Sequence, residues 1–342
     1  MDPLEAFLLT WVPAHPHDLD RYAAQELRLP LPEVRGRIRE LVRADVLEEV
    51  ERSGRTEWRW KPVFHGAVVP GMEEDAIWRK FVDPRLTGLP ANVIRLLHYG
   101  FTETLNNVID HAGAETVVVQ VRHVAALPGC PASLEIYVED DGVGIFAKLQ
   151  RELGLEDPRH VALELSKGKL TTDPARHTGE GIFFTARMCD AYLIWSGTTV
   201  CGHADGGAWH VRTGEERRGT TVRMMVRLDT RRTTREIFDE FAPPSAELAF
   251  TRTEIEADLA RHPGEELVSR SQAKRLLARC ERFRRLLLDF RGVDSIGPAF
   301  ADEVFRVFPA QHPGLVIEHR NASPEVQRMI ERARRTAGDA PA

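Results

Sequence analysis

Apolar residues change their period several times along this chain, and the changes divide it. Residues 3–11 and 18–28 read as helices, and a third runs from about Pro32 to Leu47 with Val34, Ile38, Leu41 and Val42 on one stripe. The segment EEVERSGRTEWRWKP then alternates as two strands around Ser53-Gly54. From about residue 72 to 229, long helical stretches mix with alternating ones. The helix Ala91–His111 gathers Ile94, Leu97, Phe101, Leu105 and Val108 within one arc. Residues 115–125 and 132–140 alternate as strands, followed by AYLIWSG, AWHVRT and GTTVRMMVRL, with breaks at Pro128-Gly129 and Gly206-Gly207. REIFDEFAPPSAE, with Pro243-Pro244, reads as a linker. Beyond it SQAKRLLARCERF (helix), RRLLLDF (strand), GPAFADEVFRVF (helix) and LVIEH (strand) precede a last helix that Ser323 caps and Pro324 opens.

Length and charge narrow the class. At about 150 residues per domain, 342 residues make two or three domains. Forty-six basic against 52 acidic side chains give −6, which excludes a chain that coats nucleic acid by bulk charge. Only six of the basic residues are lysine, a skew that reflects base composition rather than a binding device. The four cysteines, Cys130, Cys189, Cys201 and Cys280, form no CxxC pair, which argues against a zinc ribbon and fits a reducing cytoplasm. Cys201-x-His203 is an isolated pair, read as structural. The acidic N-terminus with its short apolar run is not a signal peptide, and no stretch of 18 apolar residues predicts a membrane span.

The candidate chemistry lies in the middle block. On the helix Ala91–His111, Glu103, Asn107 and Asp110 cluster opposite the apolar arc, and Asn106-Asn107 are mediocre helix formers in mid-helix. In VEDDGVGI a strand ends at Asp140-Asp141 and Gly142-Val143-Gly144 turns away. In HTGEGIFFTARM, Gly179 and Gly181 precede an apolar helix, whose unpaired N–H groups suit an anion. RRGTTVRMMV brings a glycine and two threonines into a strand. Each alone is ordinary: a solvated face, a tight turn, a G-x-G.

Jointly, in this order, they resemble the Bergerat nucleotide fold of the GHKL family, which includes gyrase, heat-shock chaperones and histidine kinases. FTETLNNVIDHA is similar to the N box, DDGVGI to the first glycine box, HTGEGI to the second, and GTTV to the strand bearing the nucleotide-site threonine. The resemblance implies ATP and Mg²⁺ as cofactors. Asn107 would offer its amide oxygen to magnesium, and Glu103 would orient and deprotonate the attacking water. Asp141 would accept from the adenine amino group. Gly142 and Gly144 would let the backbone approach the base, Gly179 and Gly181 would cradle phosphate, and Thr220, with Thr221 as the nearby alternative, would complete the adenine pocket. Residues 145–178 become the ATP lid, whose Lys167, Lys169, Arg176 and His177 are available to the γ-phosphate; Lys169 and His177 are the chosen candidates. KGKLTT is no P-loop, because Leu163 and Leu170 replace its first glycine and its hydroxyl residue.

The flanks complete an expected α+β architecture. It consists of a winged helix-turn-helix at 1–68, a Bergerat-type α/β sandwich at 72–230, a linker at 231–245 and a STAS-like α/β domain at 246–336. The last resemblance rests on LLLDFRGVDSIGPAFADEVF, in which Ile296 occupies the place of the family's phosphorylated serine and Ser295 stands one residue early, as helix-cap chemistry. In the winged helix, Arg35, Arg39 and Arg43 at i, i+4, i+8 and Arg55 on the hairpin are candidate DNA contacts, although residues 1–65 carry 12 acidic and 10 basic side chains, net −2. Trp58 and Trp60, on one side of a strand, are read as core. The expected function is an ATP-binding, slowly hydrolysing regulator of transcription. Nucleotide state would gate DNA, a protein partner or self-association, in roles such as stress response or phage defence. The alternative is a protein serine kinase resembling anti-sigma factors, acting on a STAS partner in trans.

Overall fold

The computed structural model describes residues 2–52, 54–126, 131–155, 157–170, 179–204, 207–242, 250–262 and 264–338. Helices α1 (Pro3–Trp11), α2 (Leu19–Leu27) and α3 (Leu31–Arg43) are followed by the antiparallel hairpin of β1 (Leu47–Arg52) and β2 (Arg55–Trp60). Leu8, Leu19, Val34, Ile38 and Leu41 form a core that Leu47 and Trp60 close from the hairpin, and Trp58 packs against it. The third helix stops four residues before the apolar period suggests. Asp45 takes a left-handed φ of 58° and the Val46 N–H donates to the Leu41 carbonyl, a helix-ending geometry that releases Leu47 into a strand.

The middle block is one antiparallel sheet in the order β3-β4-β5-β7-β6, built from β3 (Phe64–Ala67), β4 (Thr116–Val124), β5 (Ser133–Asp140), β6 (Ala191–His203) and β7 (His210–Arg227). The two late strands expected from AWHVRT and GTTVRMMVRL are one continuous β7. A bulge at Ser196–Thr199 of β6 and a φ of 70° at Gly219 accommodate the irregularity between the two halves of that strand. Strand alternation buries Val117, Val119, Leu134, Ile136, Val138, Met224 and Ile194. Against these apolar positions lie α4 (Glu74–Ile77), α5 (Ala91–Asn107), α6 (Ile145–Leu153), α7 (Pro158–Lys167) and α8 (Gly181–Met188). The opposite face is polar. There the Arg122 guanidinium stacks on the Tyr137 ring at 3.9 Å and lies 5.7 Å from the Trp60 ring of the N-terminal unit.

Helix α5 buries Val93, Leu96, Leu97, Phe101, Thr104 and Leu105, while Ile94 is only half-buried. The buried face is broader than the arc in the sequence because the sheet and α8 grip the helix from two sides. Phe101, fully buried 5.4 Å from the Trp78 ring, sits at the centre of this contact. Phe101→Ala is expected to cost about 3–5 kcal/mol in urea unfolding, and a loss below 1 kcal/mol would show that the helix is not held through this face.

The C-terminal unit is a parallel sheet, β10-β9-β8, from β8 (Arg252–Glu256), β9 (Arg285–Asp289) and β10 (Val316–Arg320). Parallel strands need crossovers. Helix α10 (Arg270–Leu277) lies in the first, and a continuous helical run of α11 (Pro298–Asp302), a π turn (Glu303–Val307) and α12 (Phe308–Gln311) makes the second; α13 (Pro324–Gly338) ends the described chain. Much of the stretch expected to be a linker is helix α9 (Thr234–Phe241), started by a Thr233/Glu236 capping box and burying Ile237 and Phe241. Pro243-Pro244 lie outside the described residues. Phe183 meets Phe241 at 5.1 Å and Phe250 at 4.4 Å, so the middle and C-terminal units share one apolar core, whereas the N-terminal unit keeps its own. Among the described residues no helix is long and apolar enough to cross a membrane.

Candidate functional site

A cavity of about 340 Å³ opens between the end of α5, the start of α6, the start of α8, the end of β5 and the middle of β7. Its apolar lining comes from Val138, Tyr192, Ile194 and Val222 of the sheet, Ile145 and Leu149 of α6, and Leu165 and Leu170. Among the described residues its polar groups come from separate segments: Glu103, Thr104, Asn106, Asn107 and His111, then Asp140, Lys148 and Thr220. An apolar cavity of this size with a few convergent polar groups is the usual form of a small-molecule site.

The strand ends build one side. Asp140 pairs with Thr220 across β5 and β7, and its Oδ1 accepts from the N–H of Gly142 at 2.8 Å and of Thr220 at 3.3 Å. Burial pushes this carboxyl above the usual carboxylate range, against the pull of those two hydrogen bonds. The adenine role assigned to Asp141 does not survive this geometry. The Asp141 carboxylate accepts from the N–H groups of Thr116 (2.9 Å) and Glu115 (2.8 Å) and from the Thr116 hydroxyl (2.9 Å). Those bonds hold it below the usual range, tied to the start of β4. Successive residues of a strand face opposite ways, so one step in the sequence exchanges a cavity group for a structural one. The same alternation brings Thr220, not Thr221, to the cavity, where its hydroxyl accepts from the Ile145 N–H at 3.1 Å and fixes the start of α6.

The glycines divide by role. Gly144, at φ 81°, lines the cavity in a space closed by the Ser196 hydroxyl, which donates to the Gly219 carbonyl at 2.7 Å. Gly142 is packed against the Ala112 carbonyl instead and does not line the cavity. Gly179 and Gly181 line it on the far side. A Cβ at Gly181 would collide with a Glu103 carboxylate oxygen, so a side chain there would displace Glu103 from the start of α8. That helix opens at the cavity wall without a described side chain capping it. Glu103 and Asn107, one helical turn apart, both line the cavity, and after Asn107 the chain widens into a π turn, Val108–Ala112, closed by Gly113 at φ 59°.

The structure separates the basic residues expected to reach a phosphate. Lys169 does not face the cavity: its ammonium donates to the Arg282 carbonyl at 3.3 Å and lies 5.0 Å from the Phe283 ring and 5.5 Å from Phe250, with its pKa lowered by burial. The αL backbone at Lys169, φ 55°, directs its side chain to the neighbouring unit rather than to the cavity. Arg176 and His177 lie outside the described residues. Among the described residues the lysine or arginine that lines the cavity is Lys148, whose ammonium donates to the His111 carbonyl at 2.9 Å. Neither residue was singled out from the sequence, yet His111 stands four residues after Asn107 and Lys148 four after Gly144, one turn along each helix.

On the N-terminal unit, Arg35 is not free for a ligand. Its Nε donates to Asp20 at 2.8 Å, and Asp20 is 3% exposed. Arg59 pairs with Glu48 and Lys61 with Asp45, whereas Arg39, Arg43 and Arg55 are exposed and form no ion pair among the described residues. In the C-terminal unit Ser295 is not the helix cap: the cap position of α11 is Gly297, and Ile296 is buried and bridged to Leu267. Ser323 does cap α13, its hydroxyl accepting from the Val326 N–H at 3.1 Å. Cys201 and His203 are buried, His203 Nε2 lies 2.8 Å from the Ala186 carbonyl, and among the described residues no three His, Cys, Asp or Glu could hold a metal together.

Residues 272–327 match the model of a family described as a STAS-like domain of unknown function (DUF4325). No curated protein matches the chain. The C-terminal unit is therefore STAS-like, in a chain of mixed α+β architecture with several sheets.

Proposed function

We propose that the middle block is a GHKL-type ATP-binding module of Bergerat fold, and that the chain is an ATP-gated regulator. One observation carries this reading. Four segments far apart in sequence, around Glu103/Asn107, Asp140/Gly144, Gly179/Gly181 and Thr220, converge on one cavity. The cavity offers an apolar slot with an ionisable acceptor, Asp140, suited to a base. The same cavity is lined by a glycine-bearing helix start and by Lys148, suited to phosphates. A magnesium ion bound through substrate phosphates needs only one or two protein oxygens, and Asn107 beside Glu103 fits that need. When bound, the ion would offset phosphate charge. Glu103 would hold the attacking water and take its proton, while the apolar walls exclude other water.

Incubation with γ-labelled ATP and Mg²⁺, followed by separation of free phosphate from protein, tests this reading. Slow release of free phosphate is the expected result. Label retained on the chain, or passed to an added STAS protein, would favour the serine kinase instead, although the buried Ile296 removes the usual acceptor from this chain's own STAS-like domain. No turnover and no ATP binding would sink the module.

The N-terminal unit we read as a winged helix, on its three helices, closing hairpin and separate core. Its free arginines, Arg39, Arg43 and Arg55, suit phosphates rather than base edges. DNA affinity should therefore fall with salt at about 0.9 log units per log unit of salt for each phosphate neutralised. Reversing Arg39 and Arg43 to glutamate should abolish binding with the melting temperature unchanged. Arg35→Ala should instead lower the melting temperature, because it strands buried Asp20. Fluorescence anisotropy on random and promoter duplexes, with and without ATP, reads the binding, and thermal melting of each variant reads the stability. Absence of binding at low salt would reassign the unit to protein docking, and binding indifferent to ATP would remove the gate.

A further inference from the structure

The segment Glu164–Leu170 has two faces. Leu165 and Leu170 line the cavity. Glu164 and Lys167, on the other side, are buried against the STAS-like domain, with Lys167 only 1% exposed. The Lys167 ammonium is 2.7 Å from Glu164 Oε1 and donates to the carbonyls of Arg275 (3.1 Å) and Ala278 (3.0 Å), at the end of α10. Arg279 reaches back to Glu164 Oε2 at 2.7 Å, and the Thr253 hydroxyl of β8 donates to the Lys167 carbonyl at 2.6 Å. At the other end of α7, His262 Nδ1 of the STAS-like domain lies 3.1 Å from Asp157. Gly168 leaves no room for adjustment, since a Cβ there would collide with Phe250 and Phe183.

A lysine on a helix beside a phosphate site would ordinarily keep its charge in the cavity or in water. Here the desolvation of the ammonium is offset by a carboxylate and two carbonyls, three of whose four bonds in this cluster cross to another domain. Such a cluster holds only when the two domains are docked in register. We propose that Glu164, Lys167 and Arg279 are positioning residues through which the STAS-like domain sets the wall of the cavity, so that nucleotide occupancy and the state of the turn Arg275–Arg282 are linked. Linkage is reciprocal: a nucleotide that fixes Leu165 and Leu170 must also quiet the turn that Lys167 and Arg279 hold. A partner bound at that turn would then change nucleotide affinity without touching the cavity. The inference rests on the nucleotide reading of the cavity.

The test uses the full chain, a fluorescent ATP analogue with Mg²⁺, and amide hydrogen exchange. Arg279 is the accessible member of the cluster and sits at φ 64°, where asparagine is tolerated, so Arg279→Asn removes the guanidinium with little backbone strain. In the wild type the analogue should slow exchange at 275–282 as well as at 161–170. Arg279→Asn should weaken analogue binding at least fivefold and abolish its effect on 275–282, and Arg279→Lys should restore most of both. Glu164→Gln should act in the same direction as Arg279→Asn. Wild-type binding with Arg279→Asn unchanged within twofold, or protection of 275–282 that persists in the variant, would overturn the inference and leave the nucleotide site standing. No binding by the wild type would overturn both.

Discussion

Asp140→Asn should abolish the rise in melting temperature that ATP with Mg²⁺ gives the wild-type chain, while leaving the ligand-free melting temperature unchanged or higher. The wild-type shift follows from mass action. At a hundredfold excess over Kd a ligand stabilises by about 2.7 kcal/mol, roughly 5–10 °C for a cooperative unit of this size. The asparagine keeps an oxygen for the N–H groups of Gly142 and Thr220, so the local fold is retained. It loses the charge that burial already disfavours, so the free protein gains rather than suffers. Towards a ligand amino group, the new side chain can present a donor where the ionised carboxylate offers only acceptors. Asp141→Asn reverses the pattern. Three donors around the start of β4 lose their anionic acceptor, the free protein melts lower, and the ATP shift survives. Differential scanning fluorimetry on both variants separates the two aspartates, and equal ATP shifts in wild type and Asp140→Asn would remove the base-reading role. The sign of the pH dependence follows from the raised pKa of Asp140. Its ionised form is lost at a higher pH than that of an ordinary aspartate, so nucleotide affinity should fall as pH is lowered through that raised value, earlier than solvent-exposed carboxylates would dictate.

What the sequence made legible and what it hid follow from the range of the interactions involved. Amphipathic periods located α1, α2, β4 and β5 to within about two residues, since each buries one face and the period reports that face directly. The glycine pairs and the threonine strand were readable because φ above zero and close backbone approach leave few choices of residue. Asp140 and Asp141 could not be separated by composition. Only the pairing of Asp140 with Thr220 and of Thr116 with the Asp141 carboxylate decides which one faces inward. Lys169 was misread for a related reason. Its partners, Phe250, Arg282 and Phe283, lie 81 to 114 residues away, and no local pattern foretells a cation turned towards another domain. The segment around 231–245 looked like a linker because its prolines dominate the eye, yet Thr233 and Glu236 spell a capping box and Ile237 and Phe241 a helical pair that fills the shared core.

Glu103→Gln should leave nucleotide binding within a few-fold of wild type and lower the rate of phosphate release by about 10²–10⁴, the contribution a positioned general base typically makes. The glutamine preserves length and volume where the structure is least forgiving, against Gly181 at the start of α8. It removes only the ability to take a proton. The negative charge it deletes lies beside the helix start and the glycine pair, where phosphates would sit, so binding should hold or tighten as turnover falls. That opposition distinguishes a base from a binding group. A residue that merely held the nucleotide would lose affinity, raising the KM with kcat little changed. Asn107→Ala supplies the contrast: binding should weaken in the presence of Mg²⁺ and change little in EDTA, since the amide oxygen one turn along the same helix would serve as a ligand to the ion and not as a base. Single-turnover hydrolysis with the protein in saturating excess over ATP, with affinity measured separately by the fluorescent analogue, gives both quantities for each variant. Wild-type turnover in Glu103→Gln would exclude water activation by this side chain. Because a Cβ at Gly181 would take the space of a Glu103 carboxylate oxygen, Gly181→Ala is expected to reproduce the rate loss of Glu103→Gln with the carboxylate chemically intact. It would do so by pushing Glu103 off the helix start, and a fully active Gly181→Ala would show that the position of the carboxylate is immaterial.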